Sequence, residues 1–143
     1  MIKTVTHNTQ QLAIIIKSSY KKEGVEFFTP NDYSQQLAYM SHKKGKKIDA
    51  HVHNKVTRDV HLTQEVLVIR KGKLRVDFYT QEQTYLESTI LESGDVILLA
   101  SGGHGFEVLE DLEMIEIKQG PYLGDEDKTR FEHISNDKLN TQL

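Results

Sequence analysis

The chain has no cysteine, only two prolines in 143 residues, and no long apolar run. Without cysteine there is no disulfide scaffold, no thiol nucleophile and no Cys-ligated zinc or iron–sulfur centre. The longest aliphatic run, Leu12–Ile16, falls far short of the ~18–20 residues of a membrane span and suits a short strand. The opening ten residues are polar and lack the apolar core of a secretory signal, so the expected compartment is the cytoplasm. Positive charge is not in excess either. Eighteen Lys and Arg against 21 Asp and Glu give −3, so no global basic field points to nucleic acid. With 37% hydrophobic and 8% aromatic residues the chain is too apolar for disorder, and its length is that of one domain, residues 1–143. What stands out is seven histidines. Any metal here must be held by imidazole and carboxylate.

The dominant period is two. In Lys73–Tyr79, Leu74, Val76 and Phe78 alternate with Arg75, Asp77 and Tyr79, and Glu113–Lys118 repeats the pattern with Ile115 and Ile117. Val66–Ile69 and Val96–Leu99 are apolar runs of strand length, covered on both faces. Further strands are expected at Leu12–Lys17, Val25–Phe28, Gln36–Met40 and Tyr85–Leu91. Lys71-Gly72, Glu92-Ser93-Gly94 and Ser101-Gly102-Gly103 read as turns between them. Many short strands with glycine turns describe an all-β sandwich or barrel. Thr29-Pro30-Asn31-Asp32 looks like a capped start of one or two helical turns, and residues 125–143 read as a short helix or frayed tail.

The histidines are not evenly informative. On a strand His51 and His53 share a face, and Glu65 opens the apolar run that follows. Two imidazoles and a carboxylate from a neighbouring strand can converge on one divalent ion, a donor mix suited to borderline metals. His104 follows the Gly102-Gly103 turn and shares a face with Phe106 and Val108, and the glycines let the backbone bend so that its ring reaches inward. His61 reads as exposed, and His7, His42 and His133 as surface residues.

These residues resemble the two motifs of the cupin superfamily. Gly45, His51, His53, Glu65 and Gly72 match the first motif, Gly, five residues, His-x-His, a gap, Glu, six residues, Gly; here the gap is eleven residues instead of three or four. Gly94, Gly102 and His104 match the second in kind, with Ala100 in place of its proline, the histidine one residue early and Val108 where asparagine stands. The resemblance covers about residues 35–118. It implies a double-stranded β-helix, or jelly roll, in one cupin domain, with N-terminal edge strands in 10–30 and a polar tail after 125. It also implies one divalent metal, Fe, Mn, Ni or Zn, on His51, His53, Glu65 and His104, and a homodimer joined through Leu12–Lys17 and Val25–Phe28.

Glu116 and Lys118 share a strand face. Turned inward they form an acid–base pair beside the metal; turned outward they are the polar side of a strand whose core residues are Ile115 and Ile117. Tyr39, Phe106 and Tyr122 are aromatic candidates for the walls of a substrate pocket. The cluster Lys43-Lys44-Gly45-Lys46-Lys47 reads as a solvated loop and a lysine-blunted edge, without the glycine-rich helix entry of a P-loop. The ligand expected is a small molecule, with neither nucleic acid nor membrane as a partner. Three functions follow from the resemblance: a metal-dependent enzyme on a small polar metabolite, with carbohydrate or nucleotide-sugar isomerase or epimerase chemistry favoured; a non-catalytic binding or sensor module; and an iron-dependent dioxygenase.

Overall fold

Alternating apolar residues build nine strands in the computed structural model, whose described residues run from Met1 to Gln142. The protein is all-β, with 46% of residues in strands against 5% in helix. Among the described residues no helix is long and apolar enough to cross a membrane. The chain divides into two compact units, Met1–Tyr20 with Thr63–Leu143, and Lys21–Leu62.

The first unit is a curled, mostly antiparallel half-barrel sheet of seven strands. They are β1 (Ile2–His7), β2 (Gln10–Ile16), β5 (Glu65–Tyr79), β6 (Tyr85–Glu92), β7 (Val96–Leu99), β8 (Gly103–Lys118) and β9 (Thr141–Gln142). β1, absent from the sequence reading, forms the outer edge against β2, so β2 lies inside the sheet between β1 and β7. The expected joining edge at Leu12–Lys17 is therefore already occupied within the chain.

Two long strands make the sheet turn. Lys71-Gly72, read as a turn, lies instead inside β5, which runs on through it as a bulged corner, and β8 bends with it at Glu110-Asp111. Before the corner β5 pairs with β7, and after it with β6, while β8 follows it along both halves. Gly72 makes this possible. Its φ is +84°, and a Cβ there would sit 2.1 Å from the Asp111 carbonyl oxygen, so only glycine allows the two corners to meet. Leu74, Val76 and Phe78 then face Leu12, Ile15 and Ile97 across the bend, in one fully buried apolar cluster.

The opposite face of β5 is buried too. Arg75, Asp77 and Tyr79 are each at most 5% exposed because the C-terminal segment lies over them. Phe131 packs edge-on to Tyr79 at 4.9 Å, the Ile134 N–H donates to the Tyr79 hydroxyl, and His133 Nδ1 lies 3.4 Å from Asp77 Oδ2. Asn136 accepts from Arg75 at 3.2 Å, and β9 adds to β6 in parallel. The glycines of β8 leave room for this. A Cβ on Gly103 would press on Phe131, and one on Gly105 would lie 2.7 Å from His133 Nε2. The tail is thus a strap pinned by a buried ionic network, with only single turns of 3-10 helix at Gly124–Asp127 and Asn136–Lys138.

The second unit holds the hairpin β3 (Gly24–Phe27) and β4 (Ala38–Ser41). Its loop contains no helix at Thr29–Asp32. Buried Thr29 instead ties the loop across itself, bonding the Gln36 side chain and accepting from the Leu37 N–H. Gln36 donates on to the Pro30 and Tyr33 carbonyls, which satisfies the groups a helix would have used. From His42 to Leu62 every residue is exposed and no strand forms. The strand expected at His51–His53 is absent because a strand requires ladder partners for its backbone groups, and this segment has none in sheet pairing.

Candidate functional site

Glu65 opens β5, His104 is the second residue of β8, and Lys118 is its last. The cross-strand pairs Glu65–Lys118, Leu67–Glu116, Val76–Phe106 and Phe78–His104 put all of these on the concave, core-facing side of the sheet. His104 and Lys118 are fourteen residues apart, roughly 46 Å if β8 were straight. Yet His104 Nε2 lies 3.2 Å from Glu65 Oε2, and Lys118 Nζ lies 3.9 Å from Glu65 Oε1. The corner at Gly72 and Glu110-Asp111 is what folds the strand back and brings both ends to one carboxylate.

Glu65 is 5% exposed, and an unpaired buried carboxylate would cost several kcal/mol. Its partners reverse that cost. The hydrogen bond from His104 holds its carboxyl below the usual carboxylate range, against the upward push of burial, and the charges of His104, Lys118 and Lys128 help. Glu116 lies 3.8 Å from Lys118 and is half-exposed, so Lys118 bridges a buried and an open carboxylate. Phe106 covers His104 with ring centroids 5.2 Å apart. Ile115 and Ile117, the core residues of the outward alternative, are 46% and 50% exposed. Glu116 and Lys118 thus share the concave face.

The remaining candidates lie elsewhere. His51 and His53 stand side by side in the exposed segment, ring centroids 5.3 Å apart, and His51 Nδ1 is 2.8 Å from the Asp49 carbonyl oxygen. Tyr39 is half-buried on β4, whereas Tyr122 is 86% exposed after β8. Among the described residues no group of three or more His, Asp or Glu side chains gathers within reach of one ion. The four nominated ligands therefore form two donor pairs, each within its own unit.

Ligand chemistry can be tested on the Glu65–His104 pair. Two donors about 2.1 Å from one ion, at tetrahedral to octahedral angles, sit about 3.0–3.4 Å apart. The observed 3.2 Å falls in that range. Imidazole nitrogen with carboxylate oxygen is also the right chemistry for Fe, Mn, Ni or Zn.

Sequence reasoning missed His133, which binds buried Asp77 from 56 residues away with no spacing signal to reveal it. It also missed the influence of Lys128 on Glu65, since the residues around Lys128 read as a tail.

Comparison of the chain with protein-family models, with curated proteins and with solved structures finds no match.

Proposed function

We propose that the protein is a metal-binding jelly roll of the cupin type acting on a small polar metabolite, with one divalent ion held by Glu65 and His104. The observation that supports it is the meeting of Glu65 and His104, nominated by separate motifs and joined at ligand spacing by a bent sheet. When bound, the ion would supply Lewis acidity toward a substrate carbonyl or hydroxyl. The chain's own groups do the rest. Lys118 presents an ammonium to the concave face, where it can anchor a substrate oxygen or return a proton. Glu116, half-exposed and 3.8 Å from that ammonium, is placed to accept a proton from a carbon next to a carbonyl. Phe106 shields the His104 ring from water on one side. This division of labour fits isomerase or epimerase chemistry on a sugar-like substrate.

A second reading has its own observation. Glu65 is satisfied by His104 and Lys118 with no ion at all, as a non-catalytic binding module would have it. Metal analysis of protein purified without chelator and supplemented with Fe, Mn, Ni or Zn separates the two. The enzyme reading predicts about one ion per chain, lost in Glu65→Gln and in His104→Ala. Less than about 0.1 per chain after supplementation selects the binding module. The proposal includes a homodimer, joined at the outer edge of β1. A sedimentation mass of two chains supports that edge, and a mass of one chain removes it.

A further inference from the structure

Lys21–Leu62 carries eight Lys and Arg against five Asp and Glu, a net of +3 in a chain whose total is −3. Positive charge is therefore concentrated here against the sign of the whole. The same stretch contains a cavity of about 320 Å³ at the foot of the β3–β4 hairpin, bordered by Lys21, Lys22 and Lys43. Alternation along β4 sets Tyr39 and Ser41 on one face, and both are half-buried in the cavity wall, with His42 between Ser41 and Lys43. The lining carboxylate is Glu23, 3.6 Å from Lys43, while Lys22 is also held 2.9 Å from Glu26. Counting the Glu26 carboxylate that holds Lys22, three ammonium groups less two carboxylates leave one positive charge at the cavity.

We infer that this cavity is an anion site for the phosphate group of a small phosphorylated metabolite. A phosphate offers more acceptor oxygens than a carboxylate to the Lys21 and Lys43 ammonium groups, the Ser41 hydroxyl and the His42 ring. Lysines act as point-charge phosphate ligands, and the Ser41 hydroxyl and the His42 ring add directed hydrogen bonds. The Glu23–Lys43 pair is exposed on both sides, so water screens it and an arriving dianion competes with Glu23 for Lys43 at low cost. The Tyr39 ring gives the rest of the ligand a flat wall. The volume stands at the lower end of small-ligand pockets, which suits a sugar phosphate. This site stands apart from the metal reading, since none of its lining residues is a proposed metal ligand.

The test is an amide NMR titration of the full-length chain with inorganic phosphate, a hexose 6-phosphate and the uncharged hexose, at fixed ionic strength. Phosphate and hexose phosphate should move the Ser41, His42 and Lys43 amides, while the hexose does not. Binding should weaken about 10-fold or more in Lys21→Gln/Lys43→Gln and less than about 2-fold in Lys46→Gln/Lys47→Gln, which changes the same charge outside the cavity. Equal weakening in the two double variants would show general screening and overturn the site. So would the absence of phosphate-dependent shifts at Ser41–Lys43. Preference for the hexose phosphate over inorganic phosphate assigns the ligand to a phosphorylated metabolite; equal affinity would overturn that assignment.

Discussion

Gly72, Gly105 and Gly45 separate three kinds of glycine. At Gly72 an added Cβ would meet the Asp111 carbonyl oxygen at 2.1 Å and the Glu110 carbonyl oxygen at 2.9 Å, at a φ of +84°. Gly72→Ala must therefore open the corner, and we expect it to cost about 3 kcal/mol or more in urea unfolding. At Gly105 the obstacle is the far end of His133, which can move. Gly105→Ala should cost only about 1 kcal/mol and show itself as faster protease cleavage after Arg130. Gly45 has φ +93° but open space around it, so alanine there should carry backbone strain alone, about 1 kcal/mol. A similar loss at all three positions would refute this ordering. Glu65 adds a pH dependence. Its carboxyl is lowered in the folded chain, so the stability its charge contributes is complete above the unfolded value, about pH 4–5, and is lost as pH falls through the folded value. In metal-free protein, Glu65→Gln should flatten the fall of stability in acid. An unchanged slope would mean that Glu65 gains nothing from His104 and Lys118.

At the scale of elements, the strands whose apolar pattern is strong were legible: Val96–Leu99 forms as expected, and the runs at Val66–Ile69, Lys73–Tyr79 and Tyr85–Leu91 all lie in strands. Glycine was misread where it serves a bend within a strand. Gly72 carries the positive φ of a turn, yet both flanks stay in one strand because β8 bends with them. β1 was hidden by its polar residues, which an edge strand tolerates on its open side. The strap was not legible, because its anchors pair residues at least 55 positions apart: Tyr79 with Ile134, Asp77 with His133 and Arg75 with Asn136. Glu65 and His104, singled out in the sequence, meet at 3.2 Å, and the concave placement of Glu116 and Lys118 was open until the register settled it. His51 and His53 were legible as neighbours but not as residues outside any strand. The strap gives a prediction of its own. Asp77 is fully buried and accepts from Arg75 and Ser88, with His133 at 3.4 Å. Asp77→Asn leaves the Arg75 guanidinium without its buried counter-ion and should cost about 2–4 kcal/mol. Hydrogen exchange in Ile134 and Asn140 should rise with it, and a loss of stability with the strap still protected would show that Asp77 does not hold it.

At the scale of the molecule, the absence of cysteine narrows metal chemistry to imidazole and carboxylate, and the curled sheet gathers one of each. Charge is divided by segment, positive in Lys21–Leu62 and negative in the rest, so net charge alone conceals a place for an anion. The central claim is the Glu65–His104 ligand pair. X-ray absorption at the metal edge of reconstituted protein tests it most directly. The account predicts an imidazole nitrogen and a carboxylate oxygen at about 2.0–2.2 Å in the metal's shell, and no bound metal in Glu65→Gln. A shell without imidazole, or an ion retained in Glu65→Gln, would contradict it.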